Sequence, residues 1–187
     1  MTAVAGDEVA RGQLIRLRRK RLSDARQDYE WRRDPELARF DAASPLRSGY
    51  FDFLAAFEDD LHYPSPFRRS FAVESVEGRH IGNIMYYNYD PQRGEVELGI
   101  TIGDRAYWGR GYGRDTVRAF AGLVFRTLQV DRIVLNTLDW NIRAQHSFIA
   151  AGFRPCGTQR RGPHTFVTME HLRAWLESGP PPSGTTE

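Results

Sequence analysis

One cysteine, Cys156, in 187 residues rules out an internal disulfide. The fold must hold by packing, and the thiol content gives no sign of an oxidising compartment. Long apolar runs are also missing: no segment reaches the roughly 20 residues a membrane-spanning helix needs. Residues 1–8 have neither the basic start nor the apolar stretch of a secretory leader. A soluble, cytoplasmic protein is expected. Nor is there an excess of one charge, since 26 Lys and Arg stand against 24 Asp and Glu, a net +2. A polyanion-binding surface spread over the whole chain has no support in that balance. The densest basic cluster, Arg16, Arg18, Arg19, Lys20 and Arg21, reads as a solvated strand edge. No membrane, nucleic-acid or metal partner is expected.

The hydrophobic content of 41% over this length suits one globular domain with a single core. That domain is expected over residues 13–177, between a flexible N-terminus (1–12) and a flexible C-terminal tail (178–187) rich in Pro, Gly, Ser and Thr. A first strand is expected from Gln13 to Arg18. A helix follows from an N-cap at Ser23 and is ended by Pro35. Phe51, Leu54, Ala55, Phe57 and Leu61 form an apolar stripe on a second helix from Gly49 to about His62, opposite the solvated Glu58, Asp59 and Asp60. Strands follow at Arg69 to Ser75, Ile81 to Tyr89 and Glu95 to Gly103, with turns at Glu77-Gly78 and Pro91 to Gly94.

The segment Tyr107-Trp-Gly-Arg-Gly-Tyr-Gly-Arg-Asp-Thr116 then places Gly109, Gly111 and Gly113 between a strand and an amphipathic helix carrying Val117, Phe120, Ala121, Val124 and Leu128. Glycines there can turn successive N–H groups toward an anion, and the helix start adds its positive dipole end. A P-loop would need Gly-Lys-Ser/Thr where Gly113-Arg114-Asp115 stands, and a dinucleotide fingerprint from Gly109 would need glycine at Arg114. Asp131 to Leu138 is a short strand joined through that helix, so it lies parallel to the strand before it. Asn141 caps the next helix, which Gly152-Phe153 closes.

Taken together, Trp108 to Gly113, Glu97-Leu98-Gly99 and Asn141 to Phe153 resemble the GCN5-related N-acetyltransferases (GNAT), particularly their RimJ/RimL-like branch. The order of elements matches over most of the chain. The resemblance implies a single α/β (α+β) domain in which a mixed sheet with a splayed parallel strand pair is flanked by helices. It implies acetyl transfer from acetyl-coenzyme A to a primary amine, by direct attack in a ternary complex. The acceptor would be a protein N-terminal α-amine or a small amine such as a polyamine, and a homodimer is left open. The pantetheine arm would meet the backbone of Ile100, Thr101 and Ile102. The phosphates would meet Trp108, Gly109, Arg110, Gly111, Tyr112, Gly113 and Arg114, with Asn141 and Phe148 also at the cofactor.

Attack needs a neutral amine, and a lysine-like amine of pKa about 10.4 is almost wholly protonated at pH 7. Glu97 is the expected base or water-orienting residue, with Glu95 two residues away on the same strand face as its competitor. Relatives carry a proton-donating tyrosine or serine where this chain has Phe148 and Ala144, and neither of these can donate. That departure keeps a coenzyme A-binding sensor or catalytically weak homologue as the alternative. Cys156 is expected as buried filler. Trp31, Phe53, Phe57, Tyr86, Tyr87, Tyr89 and His164 are further candidates for the acceptor side.

Overall fold

The computed structural model describes residues 6–179. Eight strands form one sheet in the order β1-β2-β3-β4-β5-β6-β8-β7: β1 (Glu8–Arg11), β2 (Ile15–Arg19), β3 (Arg69–Ser75), β4 (His80–Asp90), β5 (Glu95–Ile102), β6 (Arg132–Leu138), β7 (Arg154–Arg161) and β8 (His164–Leu172). Every neighbouring pair is antiparallel except β5 and β6, the parallel pair expected from the helical crossover between them. Residues 8–11, assigned above to a flexible terminus, form edge strand β1 on β2. Residues 1–5 and 180–187 lie outside the described residues.

The two faces of the sheet differ in chemistry. One face carries Leu17, Val73, Ile84, Val96, Leu98, Ile133 and Leu135, and α4 (Tyr112–Thr127) buries Val117, Phe120, Ala121 and Val124 against this apolar surface. The other face carries Arg18, Lys20, Asn83, Tyr87, Glu97 and Asn136 by the period-2 alternation of strands. Helices α1 (Ala25–Arg33), α2 (Pro35–Phe40) and α3 (Tyr50–His62) complete the N-terminal half. The expected Ser23 cap is replaced by a 3₁₀ turn at Leu22–Asp24. Pro35 both limits α1 and opens α2, where Asp34 accepts from the N–H of Glu36 (2.9 Å) and Leu37 (3.1 Å).

Two members of the basic cluster, Arg18 and Lys20, do not lie on a solvated edge. Strand β1 covers β2, and alternation points Arg18 and Lys20 at acids on the polar face. Arg18 is 5% exposed, forked onto Asp24 with both distances 2.8 Å and bonded to Glu74 at 2.7 Å. Lys20 pairs with Asp28 and donates to Asn83 at 2.6 Å, while desolvation holds its pKa below the usual lysine value. Sequence alone could not show these partners, because Glu74 is 56 residues from Arg18.

Arg18→Met therefore leaves two buried carboxylates without their cation. It should cost about 3–5 kcal/mol in urea unfolding, against about 0.5 kcal/mol or less for a solvated arginine.

Candidate active site

The parallel pairing of β5 with β6 lasts three residue pairs, Glu95–Arg132, Val96–Ile133 and Glu97–Val134. Beyond it β5 continues with β4 to Ile102 and β6 with β8 to Leu138, so a gap opens between them. The Gly103 N–H donates to the Ile81 carbonyl at 2.9 Å, which sets the alternation of the β4–β5 ladder. Ile100 and Ile102 consequently turn their own N–H and C=O into the gap. The Ile102 carbonyl there accepts from the Trp108 indole at 2.6 Å. Thr101 differs: its backbone N–H and C=O turn toward β4, away from the gap.

At the far end of β5, Gly109 has φ 70° and Gly111 φ 87°, a left-handed conformation costly for any side chain, and Gly111 is the N-cap of α4. Gly113 lies inside the first turn, and a Cβ there would meet only the Ile102 side chain, at 3.9 Å. Asp115 accepts the Leu14 N–H at 2.7 Å, fixing this helix start against the entry to β2. A helix start preceded by left-handed glycines has the chemistry of an anion cradle, and no side chain stands at Gly113 to block its approach. Arg110 and Arg114 are exposed beside it, Arg110 donating to the Ala106 carbonyl at 3.1 Å. Tyr112 is buried, with its ring edge-on to that of Tyr107. Across the gap mouth, Arg143 lies 4.2 Å from the Trp108 ring centroid, and Phe40 contacts both Trp108 and Trp140.

Glu97 stands where the strands part. Its Oε1 accepts from the Tyr87 hydroxyl (2.9 Å) and the Asn136 amide (2.7 Å), and its Oε2 from Asn88 (3.1 Å). The Asn136 oxygen accepts in turn from Thr168 at 2.8 Å and from Gln159, which directs its NH₂ to Glu97. Among the described residues, side chains of four other strands therefore hold this carboxylate, with neutral donors only. Beside it, desolvation and the Glu97 charge push the Tyr87 phenol above its ordinary pKa. Glu95, by contrast, is bonded to Arg132 at 2.6 Å, and Arg132 also holds Glu170 at 2.7 Å, so its charge is already used.

Asp41, just beyond α2, was not singled out from sequence. Asp41 is exposed, and its Oδ2 lies 3.5 Å from Thr101 Oγ1. Desolvation, opposed by Arg32 and the Thr101 hydroxyl, pushes its pKa up to about 6.

Helix α5 (Ile142–Ala150) borders the gap after β6. The Asn141 side chain caps it by accepting from the Ala144 N–H at 3.3 Å. Phe148 is 7% exposed and packs on Phe153, and Ala144 lies against the same core. Cys156 is exposed rather than buried, because β7 is an edge strand. Of the aromatic candidates, Tyr87 is bonded to Glu97, whereas Trp31 packs on His80, Phe53 and Phe57 on one another, and Tyr86 and Tyr89 in or against the core. His164 starts β8 beside Phe166.

Residues 15–154 match a family model described as an acetyltransferase (GNAT) domain. Solved structures with similar folds include the aminoglycoside acetyltransferase AAC(6')-Ib in complex with coenzyme A, with 21% identity and TM-score 0.73, covering 88% of this chain and 98% of that one. Another is spermidine N-acetyltransferase from Vibrio cholerae in complex with CoA and spermine, with 21% identity and TM-score 0.76, covering 86% and 96%. A GNAT-family acetyltransferase from Bacillus anthracis matches at 15% identity and TM-score 0.71, covering 87% and 97%.

The two helix-start glycines should separate. Gly111→Ala strains a left-handed position and should lower stability by about 1–2 kcal/mol. Gly113→Val should leave stability within about 0.5 kcal/mol while weakening coenzyme A at least tenfold in calorimetry, because its branched side chain enters the cradle. Unchanged coenzyme A affinity would place the anion elsewhere.

Proposed function

This chain belongs to the GNAT acetyltransferase family, and on that premise we propose that it transfers acetyl from acetyl-coenzyme A to a primary amine by direct attack in a ternary complex. The observation that carries this reading is a carboxylate, Glu97, without an ion-pair partner among the described residues, at the point where β5 leaves β6. The gap amides of Ile100 and Ile102 fit a pantetheine arm, and the cradle at Gly109 to Gly113 fits its phosphates. Asn141 borders the same space through the helix it caps. Phe148 and Ala144 give the thioester an apolar wall.

Glu97 takes a proton from the acceptor's ammonium, directly or through a water, and its oxygen bonded only to Asn88 is the one with capacity to spare. The freed amine attacks the thioester carbonyl, an amide C–N bond forms, the C–S bond breaks, and the thiolate leaves. Solvent or the proton shed by the amine protonates that thiolate, since Phe148 and Ala144 carry none. The RimJ/RimL-like resemblance adds protein N-terminal α-amines to the small amines that deserve testing. A cytoplasmic location fits this cosubstrate. A second reading, a coenzyme A-binding sensor, is favoured by those same two apolar residues.

A thiol-release assay over amines and N-terminal peptides tests the reading: turnover with any acceptor supports the enzyme, and tight cofactor binding without turnover supports the sensor. With the best acceptor, Glu97→Gln should lower kcat about 10²-fold at neutral pH and regain part of it at high pH, as more amine becomes neutral. Cofactor affinity should not change. Phe148→Tyr should raise kcat by about threefold or less, since a phenol of pKa about 10 then faces a thiolate that leaves readily without help. No gain, with affinity and stability intact, would make Phe148 purely a wall.

A further inference from the structure

Glu97 and Asp41 are at the two ends of one stretch of the polar face. On β5, Glu97, Gly99 and Thr101 share that face, and strand residues four apart lie roughly 13 Å from each other. Between them the Tyr87 ring lies over Gly99, where a Cβ would come within 3.2 Å of its Cε1. The Tyr87 hydroxyl bonds Glu97 at one end, and Asp41 meets Thr101 at the other. Other carboxylates near this face have their cation: Glu95 and Glu170 share Arg132, Asp24 and Glu74 share Arg18, and Asp28 has Lys20. Among the described residues neither Glu97 nor Asp41 has an ion pair. Arg32 acts on Asp41 only through space.

We propose that Asp41 is a specificity-determining residue that holds a second, protonated amine of the acceptor, so that the preferred substrates are dications acetylated at the nitrogen next to Glu97. One ammonium cannot satisfy both carboxylates, because the reacting nitrogen must lose its charge to attack. The second nitrogen stays protonated and gives Asp41 the direct ion pair that no described side chain supplies. A charge-assisted hydrogen bond of this kind is the stronger class, whereas an apolar chain end at Asp41 would leave the carboxylate desolvated and unmatched. Asp41 touches no reacting atom, so its effect falls on binding.

The inference rests on the acetyl-transfer reading, and thiol release with n-alkylamines and the matching alkane-α,ω-diamines of four to eight carbons tests the two separately. The wild type should show kcat/KM about tenfold or more higher for the best diamine than for its monoamine, as expected for one charge-assisted contact. Asp41→Asn should abolish that preference by raising KM for the diamine, with kcat within about twofold and the monoamine constants unchanged. Its melting temperature should not change, since Asp41 is exposed and has no ion pair among the described residues. Equal losses on both amines, a drop mainly in kcat, or a preference that survives Asp41→Asn would overturn the inference and leave acetyl transfer standing. Bound cofactor with no thiol release from any of these amines or from the peptides above would overturn both.

Discussion

Two parallel strands that hold register for only three residue pairs create a backbone problem on which the rest of this structure depends. From Glu97 and Val134 onward, β5 and β6 follow different antiparallel partners, and the edge groups of Ile100 and Ile102 face a gap. The Ile102 carbonyl is met by the Trp108 indole, and the other half-buried peptide groups of this edge invite a ligand that has amides of its own. The same divergence sets Glu97 at the apex of the gap and leads β5 into the glycine cradle at its open end. The proposed binding surface, reacting position and phosphate site would all follow from one feature of the sheet.

Around that gap, hydrogen bonds and ring contacts hold the side chains whose position matters. Asn136, Thr168 and Gln159 make a row of hydrogen bonds across β6, β8 and β7 that ends on Glu97, and Tyr87 closes it from β4. A carboxylate held by neutral donors keeps its geometry without giving up its charge to an arginine, as Glu95 does. The Arg143, Trp108, Phe40 and Trp140 contacts join α5, the loop after β5 and α2 across the gap mouth.

Much of this was legible in the sequence wherever the signal is local. Strand and helix periodicity, the alternating glycines after an apolar strand, and the Asn141 cap each depend on neighbours a few residues apart, and each element formed near its expected bounds. Glu97 could be picked out together with Glu95, but only the structure separates them, because Arg132 is 37 residues from Glu95. The buried Arg18 and Lys20 were misread for the same reason, as their acids come from a turn, a helix and a distant strand. Asp41 carried no local mark at all: it follows a six-residue helix, and its surroundings come from Thr101, 60 residues away. Asn136, a polar residue inside Ile133-Val-Leu-Asn-Thr-Leu138, was the one missed site residue that face assignment could have flagged.

The central claim is that the β5–β6 gap and the cradle beyond it form one continuous binding surface. Amide hydrogen exchange with and without acetyl-coenzyme A tests it at single-residue resolution. The account predicts slowed exchange together at Ile100, Ile102 and the amides from Gly109 to Gly113, with β3 and β7 unchanged. Protection at the glycines without protection at the two isoleucines, or protection centred on another part of the sheet, would contradict it.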